Sequence, residues 1–347
     1  MRKIILFTIF AVIFAVISGP VSLFAQRGTA ARDVLEVRLA SPLPRESPWG
    51  RTLDRIAAEW NRVTNGQVRL RVLHGGTEGS EERMHMALAG NTIQAAVFSS
   101  FGLSQINPAI LTVSAPFLIR NDQELDAVMR EIQTDLENGL NTANHFMLAW
   151  SRSGYVNLFS RDPVFTPDDL RRQPIASNAE AARMNTAFST MGFRIVDTDW
   201  SNIGPQISTG AIMAVYNNPA AIAAFQVHRE LRNMLSMNVA PVLGGIVINQ
   251  VTWRRIGELN PRFQPELIRV TRQIATEFDS AMARTVNDAI QSMTRAGLRV
   301  NTPSPAQEQL WYNEVQRVTP TLLANGTFDR ELYQRIEGIL ARHRQGR

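Results

Sequence analysis

Val34-Leu-Glu-Val-Arg-Leu-Ala40 alternates apolar and polar residues, and a second alternating run, Gln67-Val-Arg-Leu-Arg-Val-Leu73, follows one helix-length segment later. Alternation at period two predicts strands. Between the two runs, Pro42, Pro44 and Pro48 make a rigid loop, and Leu53, Ile56, Ala57 and Trp60 recur at helical spacing over Trp49 to Val63. Asn65-Gly66 stops that helix. Gly75-Gly-Thr-Glu-Gly-Ser80 then opens a helix through Met84, Met86, Ala87 and Leu88, and Ala95 to Phe98 reads as a short buried strand. Strands alternating with helices in this way specify an α/β lobe.

The same reading extends along the chain. Ser151 to Phe159, Ile195-Val196 and Ile212 to Tyr216 supply strands for a second α/β lobe. Gly244-Gly-Ile-Val-Ile-Asn249 predicts a crossing strand that returns the chain to the first lobe. A long helix is expected from Pro265 to Ala296, with Leu267, Val270, Ile274, Phe278, Met282 and Ile290 along it and Gly297 as its cap. A helical pair follows, holding Trp311 and Val315 and then Leu332, Ile336 and Leu340. The arginine-rich end from Arg342 to Arg347 reads as a frayed, solvated tail. The first lobe is thus expected over 34–154 and 240–264, the second over 155–239, and the spanning and C-terminal helices over 265–347.

Arg2 and Lys3 precede an apolar run from Ile4 to Ile17 that Gly19-Pro20 breaks. This charged-then-apolar order predicts an export signal over residues 1–25, cut after Ala25, with a core short for a membrane span of ~20 residues. An uncleaved N-terminal anchor is the other reading. What remains, about 320 residues, is long for one core and natural for two lobes. The chain has no cysteine, which excludes a lipid-anchored lipoprotein, disulfides, thiol catalysis and iron–sulfur clusters. Its formal charge is +5, and losing Arg2 and Lys3 lowers it to +3. The arginines lie among acids, as in Asp54-Arg55 and Glu81-Glu82-Arg83, rather than clustered with aromatics as nucleic-acid binding requires.

Enzyme chemistry finds no purchase. His74-Gly75-Gly76 has the look of an oxyanion loop, but no Gly-x-Ser-x-Gly nucleophile turn accompanies it. His74, Glu78, Glu82 and His85 lack metal-ligand spacing, and a solvated helix start accounts for Glu81 and Glu82. There is no phosphate-binding loop or dinucleotide fingerprint, so no metal and no cofactor are expected.

One further stretch carries a resemblance. Phe165-Thr-Pro-Asp-Asp-Leu-Arg-Arg-Gln-Pro-Ile-Ala176 is similar to the central signature of the solute receptors of tripartite ATP-independent periplasmic (TRAP) transporters, roughly T-P-x-D-L-x-G-x-x-I-R. Ala115-Pro-Phe-Leu-Ile-Arg-Asn-Asp122 resembles that family's Pro-Phe-Leu segment. Gly79, Glu82 and Gly90 match its early pattern, and Asn287, Gly297, Val300, Pro303, Glu308 and Trp311 its C-terminal run. The resemblance implies a two-lobed periplasmic-binding-protein fold with hinge strands and a long helix across both lobes. It also implies a non-catalytic receptor that closes on a small ligand and presents it to integral-membrane permease subunits.

Carried over residue by residue, the family's carboxylate-clamping arginine falls on Ala176, and a second arginine, after a Gly-aromatic pair, falls on Val156 in Gly154-Tyr155-Val156. The aromatic floor under the ligand falls on Trp200. The Asp-Gly-x-x-Asn-Pro-like segment corresponds to Met213-Ala-Val-Tyr-Asn-Asn-Pro219, with Asn217 or Asn218 facing the ligand. In the first lobe the cleft is expected near Ser41, Ser99 and Phe101. A buried carboxylate without an arginine partner carries a large desolvation cost. The expected ligand is therefore apolar or amphipathic rather than a simple carboxylate, as in a variant branch of the family partnered by a tetratricopeptide-repeat protein. Several readings stay open beside this one. Trp200, Tyr155 and Phe101 suit packing, Asn217 and Asn218 suit a turn before Pro219, Arg194 or Arg183 is placed to replace the clamp, and a one-residue slip puts Ser177 at the clamp position. A carrier of lipid or other hydrophobic ligands, or a ligand sensor, working without a TRAP permease is the alternative function; neighbouring permease genes would separate them.

Overall fold

The computed structural model describes residues 34–177, 181–198 and 203–346, so the expected export signal lies outside the described residues. The first sheet is built as the alternation predicts. Strand β1 (Leu35–Ala40) pairs in parallel with β2 (Val68–Leu73) and with β3 (Ala95–Ser99). Helix α1 (Pro48–Val63) links the first two; Ser47 caps it by accepting from the Gly50 amide, and Pro48 fills its first turn. Helix α2 (Glu81–Ala89) begins on the Ser80 cap. Strand β3 then runs into helix α3 (Ser100–Ile106), capped by Ser99, and α4 (Asp122–Thr142) closes that part of the chain.

Two long strands cross between the lobes. β4 (His145–Ser160) and β9 (Ala240–Asn249) are antiparallel neighbours, and β9 also pairs antiparallel with β3. β4 changes sheets along its length. His145 to Arg152 lie on β9, the register shifts between Arg152 and Tyr155, and Asn157 to Ser160 lie on β7 (Ala214–Asn217) of the second sheet. Gly154 occupies the irregularity with φ +83°, a conformation that L side chains rarely adopt. The second sheet continues in parallel from β7 to β5 (Ile175–Ser177) and β6 (Ile195–Asp197). On its other side β8 (Asn233–Leu235) pairs with β4, and β10 (Arg299–Asn301) pairs with β8.

Strand alternation sends neighbours to opposite cores. Val97, Ile246 and Ile248 face one cluster with Leu53, Ile56 and Trp60 of α1, whereas Ala96, Phe98 and Val247 face another with Met84, Leu88 and Leu103. Helix α10 (Phe263–Arg295) serves both lobes. Leu267, Val270 and Ile274 sit in the first lobe's core, while Ile290 and Met293 pack into the second lobe's core around Phe159, Ile207 and Val215. Gly297, at φ +101°, follows its C-terminus.

One expectation is overturned. As far as Gln345 the arginine-rich end is not a frayed tail: α12 (Arg330–Gln345) carries Arg342 and Arg344 and docks on α4. Arg342 pairs with Glu131 at 2.9 Å, and Arg344 holds the buried Glu124 carboxylate through Nε and Nη2, both at 2.9 Å.

Candidate functional site

The Phe165–Arg171 stretch is a docking device. Thr166 and Asp169 form a reciprocal capping box at the start of α5 (Pro167–Arg171), and the Asp169 carboxylate accepts from the Phe165 and Thr166 amides. Burial alone would raise that carboxyl, but these hydrogen bonds and the Thr166 hydroxyl hold it below the ordinary carboxylate range. Leu170 is buried. Arg171 donates to the Met191 carbonyl and pairs with Glu314 at 2.7 Å on α11 (Pro305–Ala324). The segment therefore fixes β5, and with it Ala176, against the C-terminal helices.

A cavity of about 220 Å³ lies between the lobes beside the crossing strands. Ser99, Ser100, Phe101 and Ser114 line it from the first lobe, Val156 and Ala240 to Leu243 from the crossing strands, and Ala176, Ser177, Met184, Phe188, Tyr216, Asn217 and Asn218 from the second. None of the described lining residues carries a charge at neutral pH. Arg194 is exposed and Arg183 half-buried, and neither lines the cavity. The stretches 178–180 and 199–202 contain no arginine or lysine.

Of the residues read as site candidates, Ser99, Phe101, Val156, Ala176, Asn217 and its alternative Asn218 line this cavity. Tyr155 and Met213 do not. Tyr155 neighbours Val156 on one strand, so the two side chains take opposite faces; burial, then the nearby Asp122 carboxylate, pushes its phenol up. Met213 sits just ahead of β7, where its amide donates to the Pro174 carbonyl and its carbonyl accepts from Arg161. Trp200 lies outside the described residues. Ser41, buried at the end of β1, is not a lining residue.

Polar atoms in the cavity differ in what they have left to offer. Asn218 is engaged twice, accepting from the Ala220 amide as the cap of α8 (Pro219–Ala224) and donating to the Ser153 carbonyl in the strand irregularity. Asn217 accepts from the Asn218 amide through Oδ1, and its Nδ2 has no hydrogen-bond partner among the described residues. Ser177 and Tyr216 share a 2.9 Å hydrogen bond; burial raises the Tyr216 phenol, with the Ser177 bond opposing. The Ser99 hydroxyl donates to Glu81 at 2.7 Å, and its amide donates to the other Glu81 oxygen at 2.7 Å. Glu81 is thus half-buried rather than part of a solvated helix start, whereas Glu82 is exposed. Gly102 permits this packing, since a Cβ there would stand 2.4 Å from Glu81 Oε2 and 2.6 Å from Phe98 Cδ1.

Ser100, Ser114, Met184 and Phe188 escaped the sequence reading because they come from short helical segments without a motif. Two α/β lobes, two crossing strands and a cavity between them make the architecture of a two-lobed solute receptor. The chain belongs to the bacterial extracellular solute-binding proteins of family 7, whose family model (DctP) matches residues 39–325, and so to the TRAP receptors. The 2,3-diketo-L-gulonate-binding periplasmic protein YiaO of Escherichia coli K12 is 24% identical over 244 residues, 69% of this chain and 72% of that one. A TRAP solute-binding protein of Ralstonia eutropha H16 with bound (S)-2-acetolactate superposes with a TM-score of 0.76 at 19% identity, covering 88% of this chain and 99% of that one. One from Xanthobacter autotrophicus Py2 with bound β-D-galacturonate gives a TM-score of 0.72 at 19% identity, covering 88% and 99%.

Proposed function

We propose that this chain is the exported receptor of a TRAP transporter that captures a neutral, largely apolar small molecule by lobe closure and hands it to a membrane permease. The observation that carries this reading is the uncharged wall formed by Val156 and Ala176. The similar proteins above hold carboxylated ligands, and a carboxylate enclosed at this wall would lie in low dielectric without a cationic partner. In this reading Phe101, Val156 and Ala176 supply apolar contact, the free Asn217 Nδ2 donates a hydrogen bond, and Trp200 adds an aromatic face. Nothing in the described residues points to a tetratricopeptide-repeat partner. Native mass spectrometry of the purified protein, followed by organic extraction and identification of what co-purifies, tests the proposal. A neutral molecule held one to one supports it. Stoichiometric retention of a carboxylate such as a uronate overturns the ligand class and leaves the receptor assignment standing.

A further inference from the structure

A second cavity of about 270 Å³, which shares no lining residue with the first, lies between the Phe117–Arg120 loop and helices α11 and α12. Two arginines line it, and they differ. Arg344 is neutralised, because it forks onto Glu124, whose second oxygen also accepts the Arg120 amide at 2.9 Å. That leaves the Arg120 guanidinium without an ion pair or a side-chain hydrogen bond among the described residues. Its Nε is buried with no acceptor. One face of the guanidinium lies 3.6 Å from the Tyr312 ring centroid, so its in-plane N–H groups remain the open donors. Burial, and after it the Arg344 charge, pulls this guanidinium below its ordinary range. The charges that attract Arg120 are those of Glu124, already engaged by Arg344, and more weakly Glu308; Glu337, the carboxyl lining the cavity, is raised by burial towards its neutral form.

A half-buried guanidinium stacked on one face and unpaired along its edge is the arrangement that receives oxyanions. We propose that this cavity is a second binding site, for a small oxyanion (a carboxylate or phosphate group) held by Arg120 above Tyr312. The site adjoins a crossing strand. The Arg120 carbonyl accepts from Asn238 Nδ2 at 2.9 Å, and the Phe117 amide donates to the Val239 carbonyl at 2.6 Å, immediately before β9. The proposal stands independently of what the cleft holds.

The test is thermal unfolding against inorganic phosphate, and separately acetate, at constant ionic strength. The expected result is a saturable rise on the order of 2 °C at ten times Kd. Arg120→Gln should abolish the rise, and Val156→Trp, which fills the cleft, should keep it. A rise that survives Arg120→Gln or vanishes in Val156→Trp overturns the proposal, as does no saturable rise at all. Should Arg120→Gln fail to fold, the Arg120 Nε–H resonance of the unmodified protein decides: it must move on titration with phosphate, and an unmoved resonance overturns the site.

Discussion

Asp279 of the spanning helix accepts hydrogen bonds through one oxygen, Oδ1, from the Ser151 hydroxyl and from the neighbouring Arg152 amide, both at 2.9 Å. These donors stand where β4 leaves the first sheet, directly before the irregularity that Gly154 and Asn218 complete. The lobes are therefore joined through a strand whose turning point is held by Asp279 of α10 and by Asn218, the cap of α8. Burial pushes the Asp279 carboxyl up to about 6, with the two hydrogen bonds and the Arg152 charge opposing.

The sign of the resulting pH dependence is fixed by that shift. The folded protein keeps the Asp279 proton up to about pH 6, whereas the unfolded chain releases it near ~3.9. Folding therefore binds a proton in that window, and the stability owed to this group falls as pH rises from about 4 to about 6, then levels. Asp279→Asn keeps an acceptor for both donors and cannot ionise. Its stability relative to the unmodified protein should climb by roughly 1–2 kcal/mol across the window, after discounting for partial solvent contact. Urea unfolding at pH 4, 5, 6 and 7 checks this, and parallel curves would remove the role assigned to Asp279.

Ala176→Arg should return a cation to the cleft wall. Because Ala176 also packs into the second lobe's core, a stability loss of about 1–3 kcal/mol is expected with the fold retained. Affinity for a co-purified neutral ligand should fall at least tenfold, roughly 1.4 kcal/mol, while glucuronate gains measurable binding. Calorimetric titration of both ligands against both proteins reads the exchange. Unchanged neutral-ligand affinity would mean that residue 176 does not face the ligand.

The limits of the sequence reading follow from particular residues. Period-two alternation identified β1 and β2, whose outer residues meet solvent. It failed for His145 to Trp150, because Phe146 to Trp150 is an unbroken apolar run with one face of β4 buried and the other wholly or partly so. β5, β8 and β10 are three residues each, too short for any period. Val156 and Ala176 were found because a motif located them. Tyr155 was carried along as Val156's neighbour although a strand turns adjacent side chains to opposite faces. The partners of Arg342 and Arg344 lie more than two hundred residues away, and no local pattern announces such a pair.

Trp311 joins elements that sequence separates widely. Its ring lies 5.0 Å from Phe117 and 6.1 Å from Phe193, and its Nε1 donates to the Phe165 carbonyl at 2.9 Å. Trp311→Ala should cost about 3–5 kcal/mol through the cavity it leaves. Trp311→Phe should lose about 1 kcal/mol with the hydrogen bond, plus the smaller ring's contacts. Denaturant midpoints order the two variants, and equal losses would show that the ring's volume contributes little.

Arg344→Ala tests the docking of the C-terminal helix. Glu124 is 3% exposed, and Arg344 supplies its fork of hydrogen bonds, with the Arg120 amide as the remaining donor. Burial alone would raise the Glu124 carboxyl, but Arg344 and the Arg120 amide hold it below the ordinary range. A depressed folded value contributes stability that is present at neutral pH and lost as pH falls through the carboxylate range. Removing Arg344 strands a buried carboxylate, so the variant should lose about 3 kcal/mol at pH 7 and approach the unmodified protein near pH 4. Arg344→Lys should recover only part of the loss, because an ammonium cannot fork onto both oxygens. Chemical unfolding at the two pH values measures the effect; a loss below about 1 kcal/mol, or one unchanged between them, would mean that the pair is a solvated contact and that apolar packing of Ile336, Ile339 and Leu340 holds the helix.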